Sequence, residues 1–240
     1  MTNRFVQKLA QYAALSPEDA RLLDSACRDT RRVKARVDLI REGDPPGPVF
    51  VMLEGWACRY KLLREGGRQI LALLMPGDFC DMHVAVLDEM DHSIGTLTPA
   101  VYAEIPRDRM ELLIRSGPAV TRAFWIAQLV DEGILRAWIV SMGRRDGAER
   151  LAHLMSEIYI RARNVGLCDD GHCAIPLTQI VLADSLGLTP VHVNRVLRKL
   201  RLAGVMELGR GVLHIRDIEG LARIAGFDDN YLHRRLKRVA

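Results

Sequence analysis

The chain of 240 residues lacks any apolar stretch close to the roughly 18 residues that a membrane span requires. Ile70 to Met75 is only a short run with polar residues at both ends. Met1 to Leu15 carries Arg4, Lys8 and Gln11 among its apolar residues, the pattern of an amphipathic helix rather than a signal peptide. Neither secretion nor membrane residence is therefore expected. Catalytic signatures are missing as well: there is no Gly-x-Ser-x-Gly elbow, no P-loop and no His-Glu-x-x-His. The five cysteines (Cys27, Cys58, Cys80, Cys168 and Cys173) are odd in number and contain no Cys-x-x-Cys pair. That excludes a standard structural zinc site and predicts reduced thiols in a cytoplasmic protein. Cys168, Asp169, Asp170, His172 and Cys173 have ligand chemistry, but their spacing fits no standard metal site, and no cofactor is expected.

What is present describes a globular chain of one or two domains, 49% hydrophobic and 27% charged. Net charge is +4 and unevenly placed. From Arg144 onward, 16 basic residues face 11 acidic ones, whereas the preceding part is close to neutral. A basic C-terminal part favours a polyanionic partner there.

Four blocks follow one another. Met1 to about Thr30 reads as helical, with a helix start at Ser16-Pro17-Glu18-Asp19, where serine caps and the acids suit the positive helix end. From about Arg31 to Pro106 the period changes to two. Val33, Ala35, Val37 and Leu39 alternate with polar residues, as do Trp56, Cys58, Tyr60 and Leu62. Turns at Glu42-Gly43-Asp44, Glu54-Gly55, Glu65-Gly66-Gly67 and Pro76-Gly77-Asp78 punctuate these strands, which implies a sandwich or barrel. Ser116-Gly117-Pro118 opens a long helix that nothing breaks before Gly143. Along it Ala123, Ala127, Val130, Ile134, Ala137 and Ser141 recur in alternating steps of four and three, the period of a coiled-coil seam, which predicts a dimer interface. A helix over Asp146–Arg163 and a polar loop from Cys168 to Cys173 begin the last block.

Thr178 to Leu200 carries the functional reading. Thr178 caps a short helix ending at Leu186, Gly187 supplies a sharp turn, and Thr189 with Pro190 starts a second helix. Val193, Val196, Leu197 and Leu200 make one buried stripe on that helix. This is helix-turn-helix spacing, and the outer face then holds Val191, His192, Asn194, Arg195, Arg198 and Lys199. Arg195, whose planar fork matches guanine, is the first candidate for base contact, with Asn194 and His192 beside it and Val191 suited to a thymine methyl. Arg198, Lys199 and Arg201 suit phosphates. Two short strands around Gly209-Arg210-Gly211 form a wing, with Arg210 near a phosphate.

With these residues in view, the chain resembles the Crp–Fnr family of bacterial transcription regulators over nearly its full length. Glu42-Gly43-Asp44, Leu53-Glu54-Gly55, Gly67-Arg68 and Pro76-Gly77-Asp78-Phe79 are similar to landmarks of that family's sensor domain, and Leu177 to Leu200 to its DNA-reading motif. The resemblance implies an α+β chain. A β-roll (jelly-roll, cyclic-nucleotide-binding-like) sensor domain with N-terminal helices would span 1–115, a dimerisation helix 116–143, and a winged helix-turn-helix domain 144–240. It further implies a homodimer on a two-fold symmetric double-stranded DNA operator, with RNA polymerase as a further partner.

The departures are specific. The Gly-Glu and Arg-Ser/Thr pairs that hold cyclic AMP in family members fall here on Asp81-Met82 and near His92-Ser93. A methionine cannot accept the ribose hydrogen bond and a histidine lacks the arginine fork, so cyclic AMP dependence is not expected. The iron–sulfur cysteine cluster of other members is reduced to Cys27 alone, and the glutamate common on the reading helix is matched by Val191. Cys80, Asp81, His83, His92 and Ser93, with Asp91 nearby, lie around the position of the lost pocket and have the chemistry to hold a metal or a small molecule, so the sensor domain is expected to bind either an effector other than cyclic AMP or none. Two other readings stand beside the regulator: a cupin-like metalloenzyme with an appended helical domain, using His83 and His92 as ligands, and an interaction module that does not bind DNA. A usual His-x-His pair is missing for the first, and the second predicts no salt-dependent DNA binding.

Overall fold

The computed structural model describes residues 3–82, 86–169 and 171–233. The chain divides into two compact units between Gln128 and Leu129.

The first unit opens with α1 (Arg4–Leu9) and α2 (Pro17–Ala26). Ser16 and Asp19 form the reciprocal capping box that starts α2. The amphipathic N-terminal pattern is a shorter helix than expected, with Phe5, Val6 and Leu9 buried. Eight strands follow: β1 (Thr30–Val33), β2 (Asp38–Ile40), β3 (Val49–Glu54), β4 (Ala57–Leu62), β5 (Arg68–Leu74), β6 (Phe79–Cys80), β7 (Ser93–Thr96) and β8 (Ala100–Ile105). They make two four-stranded antiparallel sheets, in the orders β1-β8-β3-β6 and β2-β7-β4-β5.

The alternating run from Val33 to Leu39 is not one strand. The backbone turns left-handed at Arg36 (φ +63°), and the chain passes from the first sheet to the second. Gly55, also at positive φ, is enforced by packing, since a side chain there would run into the backbone of Pro99 and Ala100.

Phe50, Met52, Leu74, Met90, Ile94 and Tyr102 fill the core that both sheets contribute to. A second core joins the first sheet to α1, α2, α3 (Arg107–Ile114) and the first half of α4 (Pro118–Arg144). At its centre Phe5, Phe79 and Phe124 pack ring against ring, with centroids 5.4–6.1 Å apart. The buried ion pair Lys8–Asp78, at 2.8 Å, lies beside them. Burial pushes the thiol of Cys27 up to about 12, an inert buried cysteine.

The second unit contains the rest of α4, α5 (Gly147–Asn164), α6 (Gln179–Leu186), α7 (Pro190–Leu202), α8 (Ile218–Ala225) and a 3₁₀ turn at Asp229–Leu232. A four-stranded antiparallel sheet runs in the order β11 (Met206–Gly209), β12 (Val212–Ile215), β10 (His172–Ala174), β9 (Cys168–Asp169). Glu157, wholly buried on α5, ties the unit together. It accepts hydrogen bonds from Trp138 on α4 and Tyr231 in the 3₁₀ turn, both at 3.1 Å, and pairs with Arg161. Burial pushes the Glu157 carboxyl up, against the opposing pull of Arg161. Beside it, burial and the charge of Arg145 hold His153 down to about 4, and its ring stacks on Tyr231.

The expected polar loop between Cys168 and Cys173 is a hairpin whose two cysteines face each other and are joined as a disulfide. Gly171, at φ +78°, helps the chain double back. The expectation of five reduced thiols is thus corrected to three outside the disulfide, Cys27, Cys58 and Cys80, all buried. Unreduced, denatured protein should titrate these three thiols, and reduced protein all five. Reduction should cost about 2 kcal/mol of stability, the chain entropy of so short a loop. Five thiols without reductant would contradict the pairing.

Candidate nucleic-acid interface and sensor-domain cluster

The helix-turn-helix assembles from local signals. Thr178 Oγ1 accepts from Val181 N–H at 3.3 Å and so caps α6, and Thr189 Oγ1 does the same for His192 N–H at 3.2 Å on α7. Between the helices Gly187 takes φ +61°, and a Cβ there would lie 2.6 Å from Met142 Cε. Arg150 fastens the arrangement. Its guanidinium donates to the carbonyls of Met142, Arg145 and Leu186 at 2.8–3.1 Å, meeting the otherwise orphaned ends of α4 and α6.

Val193, Val196 and Leu200 are buried, and Leu197 half-buried, so the inner stripe of α7 faces the core. The opposite face exposes Val191, Asn194, Arg195, Arg198, Lys199 and, at the end, Arg201. Arg210 and Gly211, both at positive φ, make the two-residue tip of the β11–β12 hairpin, and Arg210 is exposed there. Thr178, Gln179, Leu182, Leu197, Leu208 and Arg210 line an open cleft of about 380 Å³ between α6, α7 and this wing. Among the described residues none of Arg195, Arg198, Lys199, Arg201 and Arg210 has an ion-pair partner in the chain.

His192 sits between the two faces. The helical wheel places it on the outer face, but its ring lies over the first residue of α5, where a Cβ on Gly147 would be 2.8 Å from Nε2, and it is half-buried. A helix one turn from its cap presents residues at intermediate angles, and the missing side chain of Gly147 opens room on the inner side.

The residues of the expected dimer seam are largely covered within the chain itself. Ala123, Ala127, Val130, Ile134 and Ser141 are each at most 5% exposed within a single chain, and Ala137 is half-buried. Ala123 and Ala127 belong to the phenylalanine core. Exposed apolar residues lie on the other side of α4: Trp125 (63%), Leu129, Leu135, Ile139 (72%) and Val140. At about 100° per residue the two sets fall on opposite faces.

In the first unit the expected pocket residues separate. Cys80 is buried between the sheets, its Sγ donating to the Phe50 carbonyl, and does not join Asp81. Ser93 is buried and accepts from the Glu42 N–H. His83 lies outside the described residues. Asp81 and His92 do meet, and they meet a residue that no sequence motif singles out, Arg59 on β4. Arg59 Nε is 3.3 Å from one Asp81 oxygen, and His92 Nε2 is 3.4 Å from the other. His92 Nδ1 is 2.7 Å from Asp91. Burial pulls the His92 pKa down, but the carboxylates of Asp81 and Asp91 outweigh it and raise the value above the ordinary range. Burial likewise pushes Asp81 up, yet His92 and Arg59 prevail and its pKa is lowered.

The geometry accords with what known proteins show. The profile of the Crp-like helix-turn-helix domain matches residues 149–224, and that of the cyclic nucleotide-binding domain residues 30–116. The nitrogen fixation regulation protein FixK of Bradyrhizobium diazoefficiens is 29% identical over 186 residues, covering 75% of this chain and 76% of its own. The transcriptional activatory protein AadR of Rhodopseudomonas palustris is 29% identical over 231 residues, 92% of each chain. The solved structure of FixK2 from Bradyrhizobium japonicum aligns with a TM-score of 0.71 at 23% identity, covering 81% of this chain and 96% of that one. These findings set aside the metalloenzyme alternative, whose ligand His92 has both ring nitrogens turned to carboxylates. The chain carries a cyclic nucleotide-binding domain and a Crp-like helix-turn-helix domain, and the relatives it matches over most of its length are transcription regulators of the Crp–Fnr kind.

Proposed function

We propose that the protein acts as a homodimer that reads a two-fold symmetric operator, α7 of each protomer entering a major groove. One observation carries this reading: five exposed cations on α7 and the wing have no ion-pair partner among the described residues, while the opposite side of α7 is buried. Unbalanced charge on one surface suits phosphates, and the forked Arg195 in the second turn of the helix suits a guanine edge. Thr178 and Thr189, exposed at the starts of α6 and α7, sit where backbone N–H groups and hydroxyls meet phosphate. Titration of a duplex at several salt concentrations tests it. The logarithm of affinity should fall with the logarithm of salt, by about 0.9 for each phosphate contacted. Salt-independent or absent binding would favour the DNA-free interaction module.

The second copy is the occupant assigned to the exposed face of α4. Trp125, Leu129, Leu135, Ile139 and Val140 flank Glu132 and Arg136, which pair with each other at 3.4 Å. A self-complementary helix face of this kind suits an isologous contact. Two reading helices then approach half-sites about 34 Å apart.

The relatives FixK and AadR are a regulation protein and a transcriptional activatory protein, which supports action through RNA polymerase in the cytoplasm. The sensor domain is proposed to work without cyclic AMP. An effector would act by shifting a population in which the DNA-reading part pivots near Gly143 to Asp146. Such a pivot has to break the bonds of Arg150 to Met142 and Arg145.

A further inference from the structure

Two cationic side chains converge on one carboxylate inside the first unit. Arg59 projects from β4 and His92 stands immediately before β7, adjacent strands of the same sheet. Asp81 comes from the chain just after β6, an edge strand of the other sheet. All three side chains are at most 16% exposed. Framework and occupant are thus different parts of the fold: the sheet supplies the cations, and a connecting segment delivers the acid.

The fit of that acid is loose. Charge-assisted hydrogen bonds close to about 2.7–2.9 Å. Here the separations are 3.3 and 3.4 Å, and neither Asp81 Oδ2 nor His92 Nε2 completes a hydrogen bond with acceptable geometry. The backbone of Asp81 is left-handed, at φ +65°, a region glycine enters freely and other residues sparingly. A carboxylate held on a disfavoured backbone, just out of ideal reach of two cations, is tethered rather than free to settle.

We propose that Arg59 and His92 form a receptor for a small anion, and that the chain's own Asp81 carboxylate occupies it as a built-in ligand. The domain thereby holds itself in an occupied state, and a carboxylate the size of acetate is the diffusible species that matches the space Asp81 fills. This stands independently of the DNA reading, because it concerns the first unit alone.

The test uses Asp81→Gly in the full chain, which removes the carboxylate and suits the left-handed backbone. Its melting temperature should fall below wild type. Sodium acetate, against sodium chloride at equal ionic strength, should raise it saturably by about 2–4 °C. Wild type should show no such response, and the double variant Asp81→Gly/Arg59→Gln should lose it. Absence of saturable rescue, or equal responses in wild type and the double variant, would overturn the proposal. If Asp81→Gly does not fold, the imidazole of His92 in the wild type decides. Followed by NMR with Asp91→Asn in place, which removes the other carboxylate beside the ring, it should still stay protonated above the ordinary histidine range, and titration at or below that range means that Asp81 is not its ligand.

Discussion

Alanine at position 195 is expected to weaken binding to the preferred operator by about 1–3 kcal/mol, a loss of about 5- to 150-fold, and to relax selectivity at one base position of each half-site. The expectation follows from where the side chain sits. Arg195 is exposed in the second turn of α7, on the face opposite Val193, Val196 and Leu200. It has no ion-pair partner among the described residues, so its removal breaks no internal pair that would cloud the measurement. The matched control is Arg201→Ala, at the far end of the same helix and likewise exposed. Removing a phosphate-binding cation there should weaken all duplexes alike and reduce the salt slope by about 1. Titrations against an operator and its single-base variants separate the two behaviours. Equal, sequence-independent losses from both substitutions would show that Arg195 meets the DNA backbone and not a base.

The second large effect concerns α4. Ile139→Glu should leave each protomer folded, because Ile139 is 72% exposed. It should nevertheless convert a dimer into a species of the 27.0 kDa chain mass in sedimentation. Losing the tethered second half-site should lower operator affinity by about 10²- to 10⁴-fold. Ala123→Glu makes the contrast. Ala123 is 0% exposed in the core around Phe124, so a charge there should lower the melting temperature sharply, whatever the oligomeric state. If Ala123→Glu dissociates a stable protein while Ile139→Glu remains dimeric, the seam lies on the small residues after all.

These residues also show what a sequence reveals and what it does not. The DNA-reading motif is legible because its determinants are local. Thr178, Gly187, Thr189 and Pro190 are cap and turn signals whose physics acts over a few residues, and each appears where expected. The long helix is legible for the same reason, but the role of its faces is not. A stripe of small residues at four-three spacing permits close approach to anything, and on α4 it serves packing inside the chain. Periodicity reports that a face is buried without naming what buries it.

Long-range pairings are hidden in the same way. Arg59 is an ordinary charge on the wetter face of a strand until the fold brings it to Asp81, 22 positions later. Cys168 and Cys173 are an unpromising spacing until a hairpin sets them opposite each other. His192 follows the helical wheel in the sequence but yields to the vacant space over Gly147. The order of the strands is not legible either. The crossing from one sheet to the other at Arg36 depends on pairings with strands more than fifty residues away.

The most direct test of the account is selection of bound fragments from a pool of random duplexes by the wild-type protein, repeated with Arg195→Ala. Wild type should enrich an inverted repeat whose half-sites lie about one helical turn apart, and the variant should enrich the same repeat with one base position in each half degraded. Enrichment of a single unpaired motif, of no motif, or of an unchanged repeat by the variant would contradict the claim that paired protomers read DNA through Arg195.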